Sequence, residues 1–465
     1  MRNFSLWVAL FFSTAGYAGE DSRLIRDQRF KQEFQKLHFF HKGRGMHISP
    51  ELIDFVEIAK KYSRSSGRDF GPLKHRYGIT QNHVDPVGLF SIQYEGMNVG
   101  VLGCVACHSG KAAGQFIIGI GNKNIDVGRI GGDAFLGQKV WKTITPEVRK
   151  SEAYKLVENS AISFTKELKD PKRSNLTQGL VPTSVIRKWF YRMANEPYPE
   201  DMPRGAVKVP HLFGYGEKRK VGQFADGGGN GLLPGWGIAV ELAAGQTPEN
   251  VREYAHLLEP MEASLGDLLP PRYPFSIDPV RSTRGKLVFE NACAKCHGTY
   301  ELDSENLPIY KAPRIIPWKV VKTDRDRLKN LDEHFLGLIR SSPLSDLIQQ
   351  TQNQDSYVAP RLHAIWARFP YLHNGSVPAI QELLLSAAER SRYFSLRDAG
   401  ERGRFSEAAL GLNVKGGHQI KDKPLIHDRE IYDTTLSGQS NQGHEFGVSL
   451  APGEKQDLIE YLKTL

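Results

Sequence analysis

Cys293-Ala294-Lys295-Cys296-His297 and Cys104-Val105-Ala106-Cys107-His108 are two copies of one five-residue pattern, C-x-x-C-H. Together they contain all 4 cysteines of the chain, so no cysteine remains for a disulfide framework. Two thiols three positions apart reach the two vinyl groups of one porphyrin, and the adjacent histidine supplies the proximal iron ligand. A redox dithiol or a zinc site does not need a histidine directly after each cysteine pair. The sequence therefore predicts two covalently bound c-type haems, ligated by His108 and His297.

The composition is that of a soluble chain with two or three packed domains. Its 465 residues are 40% hydrophobic and 24% charged, which excludes wholesale disorder. The 45 glycines and 26 prolines favour long irregular connections. The net charge of +9 is spread along the chain without a basic block, so nucleic acid is not an expected ligand. A basic surface of this kind suits an acidic redox partner protein.

The N-terminus has the three regions of a secretory signal. Arg2 precedes the apolar run 4–12, and the small residues Ala15, Gly16 and Ala18 follow it. We expect cleavage after Ala18, which removes only one charged residue and leaves +8; an uncleaved anchor helix is the alternative. No later run of about eighteen apolar residues occurs, so we expect no membrane span after cleavage and a periplasmic protein.

Two helices are predicted around the second motif. Residues 284–291 carry Leu287, Val288 and Phe289 on a helical pattern that runs into Cys293. After Pro452 the last residues form one apolar face, and we expect the two helices to pack against each other. The members of that face are Leu458, Ile459, Tyr461, Leu462 and Leu465.

The predicted fold is mainly α, with two cytochrome c-like haem domains, long irregular loops and little β structure. The proline-rich segment 269–274 separates the two haem domains. The predicted units are a signal peptide at 1–18, an N-terminal helical extension at 19–84, a first haem domain at 85–270 and a second at 271–465.

Two glycine-rich stretches are interpreted as loops. Gly119-Ile120-Gly121 lacks the third glycine of a dinucleotide-binding loop and is predicted to be a turn beside the first haem. Residues 222–237 contain seven glycines and are not expected to be helical. Asp226 and Asn230 in that loop offer oxygen ligands for one calcium ion, and a solvated loop is the alternative.

Four further segments, taken with the two motifs, carry a family resemblance. They are Gln223-Phe224-Ala225-Asp226-Gly227, Tyr273-Pro274-Phe275, Phe369-Pro370-Tyr371-Leu372-His373-Asn374-Gly375-Ser376-Val377-Pro378 and Ser440-Asn441-Gln442-Gly443-His444-Glu445-Phe446-Gly447. From about residue 85 onward the chain resembles the bacterial dihaem cytochrome c peroxidase superfamily, most closely its rubber-oxygenase-like branch. The resemblance implies two haem domains, in which one haem relays electrons and the other reacts with peroxide or dioxygen at an accessible distal face.

The chain also departs from that family. Peroxidases carry a tryptophan as an electron bridge where this chain has Ala225, and Trp236 is a nearby substitute. In the family's Pro-x-Leu-Arg segment His363 takes the place of the arginine, so a different structural hydrogen bond is expected there. The chain is shorter than known rubber oxygenases, and a polymer substrate is not carried over.

The distal ligand of the second iron is expected to be a histidine, because the last methionine, Met261, precedes that motif. The resemblance favours His444 and places His373 near a haem edge, where it orders propionates or the domain interface; His373 is the alternative ligand. Ligation by two imidazoles favours a low-spin, electron-transferring iron. The downstream histidines are His334, His363, His373, His418, His427 and His444.

The first iron is expected to keep an open sixth position. Residues 109–210 contain no histidine, and Met193 and Met202 are flanked by proline and charge. Phe224 and Trp236 are candidates for the distal wall, and Glu241 for the proton carrier. The expected function is an exported oxidoreductase; a non-enzymatic dihaem electron carrier and a redox-sensing or assembly factor are the alternatives.

Overall fold

The structure is a computed structural model that describes the chain in part. The described parts are 46–48, 77–82, 85–86, 89–94, 97–102, 104–129, 176–199, 201–214, 225–226, 248–249, Arg252, 268–302, Ser304, 308–311, 315–348, 355–415, 419–420, Asp422 and 428–465. The predicted signal peptide and most of the predicted extension at 19–84 lie outside them.

Nine α-helices have described bounds, and only four of these are nine residues or longer. They are α1 (Cys104–Cys107), α2 (Ser184–Met193), α3 (Pro279–Ala292), α4 (Ala294–His297), α5 (Trp318–Val321), α6 (Asp326–Lys329), α7 (Glu333–Ser341), α8 (Ile380–Leu383) and α9 (Pro452–Leu462). Short 3-10 helices cover Ile365–Ala367, Ala387–Glu389 and Arg402–Arg404.

Short strands occur throughout the same parts of the chain. They are β1 (Met46–Ile48), β2 (Gln81–Asn82), β3 (Asp85–Pro86), β4 (Leu89–Tyr94), β5 (Met97–Leu102), β6 (Ser109–Ala112), β7 (Gln115–Ile118), β8 (Leu180–Pro182), β9 (Ala206–Lys208), β10 (Thr299–Leu302), β11 (Pro308–Lys311), β12 (Ile315–Pro317), β13 (Ser356–Val358), β14 (Tyr393–Ser395), β15 (Phe405–Ser406), β16 (Gly411–Leu412), β17 (Gln419–Ile420) and β18 (Ile431–Asp433). Two sheets are three-stranded, in the orders β1-β5-β4 and β17-β14-β18, and the others are pairs.

This architecture corrects the predicted mainly α fold with little β structure, because small antiparallel sheets accompany the helices over the whole described chain. Strands of two to six residues are too short to show the alternation that marks a strand in a sequence. The hairpin β6–β7 is an example. Its two-residue turn, Ala113-Gly114, has φ angles of 52° and 84°, which suit a tight hairpin turn.

Helices α3 and α9 pack against each other, which confirms the predicted pairing. A Cβ atom on Gly285 would lie 1.8 Å from the Asp457 carbonyl oxygen, so only glycine allows this close approach. Arg284 forms an ion pair with Asp457 at 2.6 Å, and the rings of Phe289 and Tyr461 lie 5.2 Å apart. The predicted apolar face of α9 is buried throughout.

The ends of α3 position the second cysteine motif. The Asp278 side chain accepts hydrogen bonds from the first backbone N–H groups of α3, and Pro279 occupies the first turn. The helix ends at Ala292, and α4 follows immediately. Gly298 ends α4 with a φ of 73°, a left-handed conformation that favours glycine.

One continuous apolar core extends from Ile117 in β7 to Leu462 in α9, across the predicted boundary at residue 270. At its centre Trp366 and Phe405 lie edge to face, with ring centres 6.2 Å apart. A smaller cluster around Ala106 and Ile125 packs beside the first motif. The division into two haem domains stays a prediction.

Candidate haem attachment sites

The first motif is held by the turn that follows it. The Gly119 amide donates to the His108 carbonyl and the Asn122 amide to the Cys107 carbonyl, each at 2.8 Å. The Asn122 side chain also donates to the Ala106 carbonyl at 2.9 Å. The predicted turn beside this motif is therefore confirmed, and its backbone holds the cysteine and histidine positions.

The His108 imidazole is oriented by a proline carbonyl. Its Nδ1 lies 2.9 Å from the Pro210 carbonyl oxygen, across 102 positions of sequence. A carbonyl can only accept, so Nδ1 carries the proton and Nε2 keeps a free lone pair. This is the tautomer that a metal-ligating imidazole needs.

The second motif is built in the same way. The His297 Nδ1 donates to the Pro360 carbonyl at 2.9 Å, across 63 positions. In both halves this proline begins a Pro-x-Leu segment, and in both the histidine is followed by an antiparallel hairpin, β6–β7 or β10–β11. Two regions far apart in the sequence thus present an imidazole through the same local contacts.

His444 faces His297. Their ring centres lie 6.0 Å apart, with 55° between the ring planes. Two imidazoles on opposite sides of one iron, each with a nitrogen about 2 Å from the metal, have ring centres roughly 6 Å apart. The spacing in the structure therefore fits a bis-imidazole haem iron at this place.

Tight backbone packing holds His444 in position. The residue has a φ of 52°, a left-handed conformation that costs free energy for a side chain other than glycine. Its amide donates to the Val321 carbonyl at 2.8 Å. A Cβ on the preceding Gly443 would lie 2.3 Å from the Lys322 carbonyl carbon, so this segment is pressed against the end of α5.

Arg390 also holds the His444 segment, and the sequence reasoning did not identify it. Its buried guanidinium donates to backbone carbonyls of two segments, 383–385 and 441–444. The acceptors are the carbonyls of Leu383, Leu385, Asn441, Gly443 and His444. Nothing in the local sequence around Arg390 marks these partners, which lie up to 54 positions away.

The electrostatics of the site favour neutral imidazoles and protonated thiols. Desolvation, together with the charge of His297, lowers the pKa of His444 to about 3. Desolvation also lowers the pKa of His297, while the Pro360 hydrogen bond acts in the opposite direction. Desolvation raises the pKa of the Cys107 thiol and of the Cys293 thiol to about 11. Reactive dithiols and zinc thiolates need a lowered thiol pKa, whereas thioether attachment does not.

The donor set suits a porphyrin iron better than a bare metal ion. Within the described ranges, no group of three or more histidine, cysteine or acidic side chains is arranged to hold a metal. A haem iron takes four ligands from its porphyrin and needs only one or two from the protein. Cys107, Cys293 and Cys296 form no disulfide with one another, which leaves their sulfur atoms available for thioether bonds.

His373 occupies a different environment from His444. Its ring stacks on Tyr357 with centres 4.6 Å apart, and its Nε2 lies 3.3 Å from the Tyr357 hydroxyl. Its carbonyl accepts a hydrogen bond from the Lys208 amide at 2.9 Å. Desolvation lowers its pKa to about 3, with further lowering by Arg327 and Lys208.

His363 takes the place of the family's arginine. Its ring packs edge to face on the ring of Tyr300, with centres 5.5 Å apart.

Asp226 forms a buried ion pair with Arg327. The neighbouring Ala225 carbonyl accepts a hydrogen bond from the Val358 amide at 2.7 Å, so this segment is anchored on β13. An arginine therefore matches the charge of the Asp226 carboxylate. Asn230, Phe224, Trp236 and Glu241 lie outside the described residues, and their roles, like the calcium ion, stay predictions.

Comparison with known proteins supports a cytochrome c. A family model described as RoxA-like, cytochrome c-like matches residues 356–395, which include Pro360 and Arg390. This segment is cytochrome c-like, which implies covalently bound haem. Cytochrome c-like domains are typically exported. No helix within the described ranges has the length and apolar character needed to span a bilayer.

Two curated relatives come from Sinorhizobium fredii (strain NBRC 101917 / NGR234), and both are described as uncharacterized. Protein y4iM is 28% identical over 247 residues, covering 43% of this chain and 52% of the relative. Protein y4iJ is 41% identical over 122 residues, covering 24% of this chain and 18% of the relative. The chain thus spans about half of one relative's length and less than a fifth of the other's.

Proposed function

We propose that the chain is an exported dihaem c-type cytochrome oxidoreductase of the peroxidase superfamily. Cys293 and Cys296 would hold the haem that relays electrons. Cys104 and Cys107 would hold the haem that supplies the reaction with peroxide or dioxygen at an open sixth position.

The shared construction of the two motifs is the observation that carries the proposal. Each histidine donates its Nδ1 proton to the carbonyl of a proline at 2.9 Å, and each is followed by an antiparallel hairpin. The match to a cytochrome c-like family covers only residues 356–395, which lie in the second half. His108 in the first half has the same hydrogen bond and the same following hairpin as His297. We therefore propose that His108 is also an axial imidazole ligand.

The protein contributes a rigid relay site around the second iron. His297 and His444 present neutral imidazoles, Pro360 sets the tautomer of one, and Arg390 fixes the backbone of the other. The bound haem supplies the one-electron chemistry. Fixed ligands in a desolvated site undergo little rearrangement when the charge of the iron changes, which favours rapid electron transfer.

The first site is proposed to be open because the 102 residues after its motif, 109–210, offer no histidine as a distal ligand. The next histidine, His211, directly follows Pro210, whose carbonyl accepts the hydrogen bond from His108 Nδ1, and its ring packs on Phe213 with centres 5.6 Å apart. In this proposal Phe224 and Trp236 limit access of water, and the Glu241 carboxyl holds the proton that the oxidant takes up.

Ligand binding to the reduced and oxidised protein tests this assignment. A pyridine haemochrome assay first establishes two haems per chain. Carbon monoxide or cyanide should then perturb one haem in the natural protein and in His373→Ala, but both haems in His444→Ala. If neither haem takes an external ligand in any redox state, the oxidoreductase proposal is overturned and the protein is a dihaem electron carrier.

The cellular setting follows from the same proposal. Residues 1–18 direct export to the periplasm, where covalent haem attachment takes place. The net charge of +8 that remains after cleavage favours an acidic redox partner protein.

A further inference from the structure

Three cationic side chains form a cluster in the interior between the two attachment motifs. Lys123 donates to the Lys111 carbonyl at 3.1 Å and lies 4.5 Å from the ring centre of Phe369. Lys208 donates to the carbonyls of Arg368 and Pro370, both at 2.7 Å. Lys123, Lys208 and Arg368 are called the cation cluster below.

No carboxylate among the described residues forms an ion pair with the cation cluster. Arg368 donates to backbone carbonyls, and its Nε is buried with no hydrogen-bond partner among the described residues. Lys123 and Arg368 are buried and Lys208 is half-buried. Arg187 and Arg327 are buried as well, but each of them pairs with an aspartate.

The charges of Arg368 and Lys123 act unfavourably on the Lys208 ammonium group. Burial and the charges of Arg368 and Lys123 hold the pKa of Lys208 well below its usual range. Burial lowers the pKa of Lys123 to about 7 and that of Arg368 to about 10. Buried charges are ordinarily paired, so this arrangement indicates that an anion belongs beside them.

The cation cluster reaches from one motif to the other. Lys123 directly follows Asn122, whose amide and side chain bond the carbonyls of the first motif. Arg368 contacts the segment that begins at Pro360, and its positive charge acts on the His297 imidazole. Lys208 donates to the Arg368 carbonyl, and the charge of Lys123 acts on it. An anion at this place therefore lies near both porphyrin sites.

We infer that the cation cluster binds the propionate carboxylates of the two haems where the porphyrins approach each other. The inference rests on the proposed dihaem function, because a c-type haem carries two propionates and no carboxylate within the described ranges pairs with the cluster. The cluster would then fix the orientation of both porphyrins and make electron gain by their irons more favourable.

Reduction potentials of the holoprotein test the inference. Lys208→Met and Lys123→Met should each lower the reduction potential of at least one haem, because removing a nearby positive charge disfavours electron gain. Lys111→Met is the matched control, since that lysine is already paired with Glu401 and should cause a smaller shift. Lys208→Arg keeps the charge and should restore the natural potential.

Infrared difference spectra across the redox change identify the anion. With haem carrying ¹³C-labelled propionates, label-sensitive carboxylate bands should shift in Lys208→Met and in Lys123→Met, but not in Lys111→Met. Unchanged potentials and bands in a variant that retains two haems overturn the inference. Potentials that depend on added acetate or phosphate also overturn it, because an external anion then occupies the cluster. A haem content below two per chain instead overturns the proposed function.

Discussion

Replacement of Arg390 by methionine should release His444 from the second haem without touching any residue of the attachment motif. The guanidinium donates to the carbonyls of Asn441, Gly443 and His444 at 2.6, 2.8 and 3.2 Å, and to two further carbonyls at the end of α8. Methionine has a similar length but donates no hydrogen bond. All five carbonyls therefore lose this donor at once.

The size of the effect follows from the number of carbonyls. A buried acceptor left without a donor costs about 1–3 kcal/mol of folding free energy. The five carbonyls are neighbours, so their costs do not add fully, and relaxation and water entry reduce the total to about 3–5 kcal/mol. If about 3 kcal/mol of this acts on the His444 segment, the ratio of ligated to unligated iron falls roughly 100-fold. The left-handed conformation of His444 adds to the tendency to detach.

Spin state and thermal unfolding measure the two parts of this effect. Arg390→Met should convert a substantial share of the second haem to high spin and should lower the unfolding temperature. Arg392→Met is the control, because that arginine is exposed and lies only two positions away. A fully low-spin second haem together with unchanged stability in Arg390→Met would refute the proposed positioning role.

Two further predictions concern the scaffold and the haem attachment. Gly285→Ala should destabilise the protein by about 3 kcal/mol, because the new Cβ lies 1.8 Å from a backbone oxygen of α9; Gly453→Ala, where a Cβ meets nothing within 4 Å, is the control in thermal unfolding. Cys293→Ala combined with Cys296→Ala should leave one covalent haem per chain in a pyridine haemochrome assay, and retention of two would contradict the attachment assignment.

Local patterns predicted the two motifs and the α3–α9 pair, because these depend on neighbouring residues. The apolar spacing of α9 corresponds to its buried face, and Phe289 of α3 is 1% exposed. Leu287 belongs to the same apolar pattern as Phe289, but its side chain is 60% exposed. Helix periodicity does not show how wide the buried face of a helix is. The small sheets were missed because their strands are too short to show a period.

The site was predictable only in part. His444 was favoured over the other downstream histidines through the family resemblance, and the structure brings that ring opposite His297. The proline carbonyls that orient the proximal rings lie 102 and 63 positions from their histidines. Arg390 and Lys208 likewise act through backbone carbonyls distant in sequence. Such contacts carry no local signal, so they appear only when the chain is folded.

The electron paramagnetic resonance spectrum of the oxidised protein tests the central claim, that two haems of unequal coordination occupy the chain. We expect a low-spin signal from the iron between His297 and His444 and a high-spin signal from the iron on His108, in equal amounts. Two low-spin signals would contradict an open first site. A single haem signal per chain would contradict the dihaem assignment itself.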